Sequence, residues 1–133
     1  MHHYLTALAC ALLLHASAWA ADPVRREQVE LAQGAPVKKL SGKLKGYATV
    51  EYSVAVPANS KLDIRLNSAN PSLYFNVGAD GSEQAIFVGS RDGAHFNASV
   101  GAATRYKVTV YLMRNAARKN QSASYQLAIG SGA

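Results

Sequence analysis

Short runs of alternating apolar and polar residues recur about every ten to twelve residues along this chain, each bounded by Gly, Pro, Asn or Asp. Thr49 to Val56 is the cleanest, with Val50, Tyr52, Val54 and Val56 on one face. Leu62, Ile64 and Leu66 form a second inward row, and Leu73, Phe75 and Val77 a third. Gln84 to Gly89 carries Ile86 and Val88, and Ala94 to Val100 carries Phe96, Ala98 and Val100. The pattern closes with Tyr106, Val108, Val110 and Leu112, then Tyr125, Leu127 and Ile129. A period of two over short segments, with no sustained helical period, predicts an all-β fold: a single antiparallel β-sandwich of about seven to eight short strands.

The first residues point to export. Met1 to Ala21 holds no Asp, Glu, Lys or Arg, carries the apolar run Leu5 to Leu14, and ends in Ala18-Trp19-Ala20. Such a run is too short to span a bilayer and reads as a cleaved secretory signal over residues 1–20. His2 and His3 stand where such signals usually carry Lys or Arg. The expected organisation is that leader, an N-terminal arm or edge strand over residues 21–36, and a sandwich over residues 37–133. The lone cysteine, Cys10, leaves with the leader, so the exported domain has neither disulfide nor thiol chemistry. All fourteen Lys and Arg and all eight Asp and Glu stay, so the net charge of +6 belongs to the domain.

Catalytic chemistry has little to draw on. His95 is the one histidine outside the leader, and the carboxylates lie in separate strands and turns with no acid–base pairing. Asp80-Gly81 and Asp92-Gly93 read as turns. No cluster suits a metal, so neither enzyme activity nor a cofactor is expected. The basic residues are spread over several segments, which argues against a nucleic-acid partner. Lys38, Lys39, Lys43 and Lys45 with Tyr47 form a weaker candidate surface for an anionic glycan or lipid head group.

The segment Arg114-Asn115-Ala116-Ala117-Arg118-Lys119-Asn120 stands out between the last two strands. A hairpin there needs only two to five residues, whereas about eight intervene, without Gly or Pro and with three cations. One reading is a solvated basic turn; the other is a binding loop carried on a rigid scaffold. A helical turn at this point would place Arg114 and Arg118 on one face.

Leu40-Ser41-Gly42-Lys43-Leu44-Lys45-Gly46-Tyr47, the Tyr52 strand, the Arg114 to Asn120 segment and the closing Tyr-x-Leu-x-Ile together resemble the periplasmic inhibitors of goose-type (g-type) lysozyme, from about Leu40 to Ile129. A broader likeness is to bacterial pre-peptidase C-terminal domains, which also run Gly-x-Leu, a Tyr-bearing strand and a Val-Pro-Ala turn. The first resemblance implies a periplasmic protein that plugs a muramidase cleft, its partner being a goose-type lysozyme. Arg114 and Arg118 would project into the cleft, Asn115 and Lys119 would lie on the same segment, and Tyr47 would pack alongside. The second implies an accessory module that holds cell-envelope glycan or protein and inhibits nothing.

Overall fold

The computed structural model describes residues 22–132; the expected leader, with Cys10 and the Ala20 cleavage point, lies outside them. Nine strands and two helical turns follow in order: β1 (Val24–Glu30), β2 (Lys38–Lys45), β3 (Thr49–Val56), β4 (Ser60–Ser68), β5 (Leu73–Ala79), β6 (Ala85–Val88), α1 (Gly89–Asp92), β7 (His95–Val100), β8 (Thr104–Leu112), α2 (Arg114–Arg118) and β9 (Ser122–Gly132). They form a five-stranded sheet ordered β1-β3-β8-β5-β6 and a four-stranded sheet ordered β2-β9-β4-β7. The all-β sandwich is as expected, with nine strands in place of seven to eight.

The core is built by the alternation. Tyr52, Val54, Leu62, Ile64, Phe75, Val77, Val108, Val110, Leu127 and Ile129 are fully enclosed between the sheets. Each such side chain contributes on the order of 1.5–3 kcal/mol of burial, which holds the domain without a disulfide. Across this layer the Tyr52 and Tyr125 hydroxyls meet at 2.7 Å. Gly42 lies directly opposite Tyr125, and a Cβ at Gly42 would overlap the tyrosine ring.

Three features depart from the sequence expectation. First, Phe87 is buried while Ile86 is 56% exposed. Phe87 stacks on Phe75 at 5.0 Å and meets Phe96 edge-on at 5.3 Å, and this aromatic cluster sets which face of β6 turns inward. Second, β1 pairs with β3 in parallel. Parallel neighbours need a long connection, and the excursion through β2 in the other sheet supplies it. Third, β8 and β9 are not a hairpin, because they belong to different sheets. The intervening residues must cross a sandwich about 10 Å thick, which accounts for their number. Length alone is therefore no sign of function there; the charge is what remains to be explained.

Candidate functional site

The crossing from β8 to β9 begins at Met113, whose N–H donates to the Ser72 carbonyl at 2.9 Å. The chain then makes the single turn α2, with Ala116 and Ala117 buried at 1% and 3% exposure. Two small side chains let the turn sit close on the end of the core. Its other positions, Arg114, Asn115 and Arg118, face outward with the adjoining Lys119. The turn ends in a Schellman arrangement: Gln121 N–H donates to Ala116 O at 3.2 Å and Asn120 N–H to Ala117 O at 2.9 Å. Asn120 takes the left-handed conformation this closure needs, at φ 57°. Asparagine does here what glycine usually does.

Tyr47 sits on the neighbouring crossing, between β2 and β3. Gly46 N–H donates to the Gln121 carbonyl at 2.9 Å, so the Tyr47 turn is tied to the end of α2. Gly46 has φ 61°, and a Cβ on it would fall 2.8 Å from Asn120 Oδ1. Tyr47 is 47% exposed, well above the core tyrosines. Tyr47 and the Arg114–Lys119 segment, distant in sequence, thus share one end of the sandwich.

The third crossing at this end joins β4 to β5. Asn70 Nδ2 donates to Gln121 Oε1 at 3.2 Å and to the Ser122 carbonyl at 3.3 Å, while its Oδ1 accepts from Ser72 N–H at 2.9 Å. The Asn70-Pro71 pair marks the turn, but its bracing of α2 depends on sheet order, which alternation does not encode.

The electrostatics single out two residues. Arg25 pairs with Glu27 at 3.1 Å, Arg26 with Glu51 at 3.2 Å, Arg65 with Asp63 at 3.2 Å, Arg91 with Asp92 at 2.9 Å and Arg105 with Glu30 at 3.3 Å. The other two arginines, Arg114 and Arg118, have no carboxylate partner among the described residues, and neither has Lys119. Arg114 also stands at the start of a helical turn with no acidic residue in its first turn and no side-chain cap. A cation there opposes the helix dipole, so local stability does not explain it.

His95 offers no competing site. Its Nε2 lies 2.7 Å from Asp63 Oδ2 on the outer surface of the four-stranded sheet. Burial would raise the Asp63 pKa, but the hydrogen bonds from His95 and Arg65 outweigh it and hold the carboxyl below its usual range. Among the described residues no three His, Cys, Asp or Glu side chains gather into a metal site. Nor is any helix there long and apolar enough to cross a membrane.

No protein-family model matches the chain. It is 27% identical over 118 residues to the inhibitor of g-type lysozyme of Escherichia coli (strain K12), covering 88% of this chain and 87% of that one. The crystal structure of a periplasmic inhibitor of g-type lysozyme from Aeromonas hydrophila superposes with a TM-score of 0.71 at 28% identity, over 84% of this chain and 99% of that one. The pre-peptidase C-terminal domain of a Bacillus anthracis collagenase shares the fold at a TM-score of 0.54 and 19% identity, over 83% and 97% of the two chains. In sequence and in fold, the chain is similar to the inhibitors of g-type lysozyme.

Proposed function

We propose that this chain is a periplasmic, non-enzymatic inhibitor of a goose-type lysozyme, and that it acts by presenting α2 to the muramidase cleft. The similarity to proteins of that activity supports the inhibitor reading. The observation that carries the mechanism is the pair of arginines without a carboxylate, held outward on a turn that two buried alanines fix to the core.

A glycosidase cleft is organised around carboxylates that protonate or activate the reacting centre. A guanidinium stays charged at any physiological pH and can grip a carboxylate through two parallel hydrogen bonds. Arg114 and Arg118, one helical turn apart, offer two such groups on one face, with Asn115 and Lys119 beside them. Tyr47 adds a half-exposed aromatic surface whose ordering costs little entropy. Because β8, β9 and the two neighbouring crossings fix the backbone of α2, little is spent on ordering the turn when it binds. The same proposal includes a cleaved leader over residues 1–20 and an exported domain starting near Ala21.

The direct test is residual muramidase activity of goose-, chicken- and invertebrate-type lysozymes after addition of the purified domain. Inhibition confined to the goose type is expected. Activity of the goose type unchanged at micromolar inhibitor would reject the proposal.

A further inference from the structure

The net positive charge is not shared evenly between the two sheets. On the outer face of the five-stranded sheet Arg26 and Arg105 are matched by Glu51 and Glu30, and the Lys107 ammonium donates to the Ser82 carbonyl at 3.2 Å. The outer face of the four-stranded sheet is different. Lys39, Lys43 and Lys45 point out from β2, and Lys61 and Arg65 from β4. Among the described residues Asp63 is the one carboxylate on that face, and His95 and Arg65 already engage it. Lys38, grouped with these lysines on sequence grounds, turns away and donates to the Glu30 carbonyl at 2.6 Å.

The ground between the cations is polar and flat. In register, Ser41 faces Gln126 and Gln126 faces Asn67, while Lys43 lies beside Ser124 and Lys45 beside Ser122. Along β2 the lysines span about 20 Å from Lys39 to Lys45 at the rise of an extended strand. We infer that this face is a binding surface for a polyanionic polysaccharide, with Lys39, Lys43 and Lys45 meeting its acidic groups and Ser41, Asn67 and Gln126 its hydroxyls.

The chemistry of the face favours that occupant over other polyanions. It offers no Tyr, Trp or Phe on which successive bases could stack, and its one imidazole, His95, is held by Asp63. Its one exposed large apolar side chain is Val37, which lies over Gly130 at the margin and is too little to anchor the face in a lipid interface. Nor has it the apolar or aromatic centre that anchors a protein partner. Hydroxyl and amide side chains interleaved with lysines suit a ligand that alternates hydroxyls with fixed negative charges. This surface meets the α2 end only at Lys45 and includes neither Arg114 nor Arg118, so the inference does not rest on the inhibitor reading.

The test is retention and titration of the full exported domain on alginate and on dextran sulfate, with neutral dextran and phosphatidylglycerol vesicles as comparisons and the salt concentration stepped. The parent should bind at least one of the acidic polymers, lose affinity as salt rises, and ignore the neutral polymer and the vesicles. Lys39→Gln/Lys43→Gln/Lys45→Gln together should weaken binding about tenfold or more. Lys43→Arg, which keeps the charge, should bind as the parent does. Arg114→Ala/Arg118→Ala and Arg105→Gln should also leave polymer binding intact. No binding to either acidic polymer, equal binding by the triple variant, equal affinity for the vesicles, or loss in the Arg114/Arg118 variant would each overturn the inference.

Discussion

Gly46 donates its backbone N–H to the carbonyl of Gln121 at 2.9 Å, and this bond couples the turn that carries Tyr47 to the end of the turn that carries Arg114 and Arg118. The contact is tight because Gly46 is left-handed and lacks a Cβ. Gly46→Ala would introduce backbone strain of about 1–2 kcal/mol and push on the Asn120 side chain. We expect a melting temperature several degrees lower and an inhibition constant raised more than the fold loss alone explains. Thermal unfolding and enzyme inhibition on the same sample separate the two effects.

The hydroxyl pair between the sheets makes a second prediction. Tyr52→Phe leaves the Tyr125 hydroxyl without its 2.7 Å partner and should cost about 1–3 kcal/mol, whereas Tyr52→Phe/Tyr125→Phe should cost less than the sum of the single changes. Burial first, then the bond to Tyr52, pushes the Tyr125 phenol well above its ordinary range. The raised value favours the neutral form in the fold. That stability is complete below about pH 10 and should fade as pH climbs beyond it. Urea denaturation at stepped alkaline pH reads both effects; strict additivity in the double variant would contradict the first.

How far the sequence reaches is clear from these residues. Tyr52, Phe75, Val108 and Leu127 were legible as core because a strand's period of two shows directly in apolar spacing. Phe87 was not, because Ile86, Phe87 and Val88 are all apolar and periodicity cannot choose between two adjacent candidates. Sheet membership was hidden as well, since alternation describes one strand's faces and not its neighbours. That is why Tyr106–Leu112 and Tyr125–Ile129 read as a hairpin. The cations of the 114–119 segment were plain in the sequence, and a helical turn there was foreseen as a condition. The Gly46–Gln121 and Asn70–Gln121 contacts that hold the site together were not visible, because they arise only when three separate crossings meet.

A third prediction concerns acid. Arg91 and the Val88 N–H both bond the Asp92 carboxylate and hold its pKa down at about 2. A depressed carboxyl contributes stability above its unfolded value of about 3.9, and that contribution is lost as pH falls through about 2. Carboxyl-carbon NMR titration should find the Asp92 midpoint near the lower figure and moved upward in Arg91→Ala. A midpoint near 3.9 in the parent would show that the contacts do not persist in solution.

The central claim rests on Arg114 and Arg118, and dose–response inhibition of a goose-type lysozyme by single-alanine variants tests it most directly. Removing one partner of a desolvated charge pair costs roughly 2–5 kcal/mol, about 30-fold or more in affinity. Arg114→Ala and Arg118→Ala should each lose inhibition on that scale while melting close to the parent. Arg114→Ala should melt at or slightly above it because Arg114 opposes the helix dipole, and Arg118→Ala at or slightly below it because a cation in the last turn favours the dipole. Arg105→Ala, at the opposite end of β8 and about 20 Å away along the strand, should inhibit within about threefold of the parent. Full inhibition by both Arg114→Ala and Arg118→Ala would contradict the account.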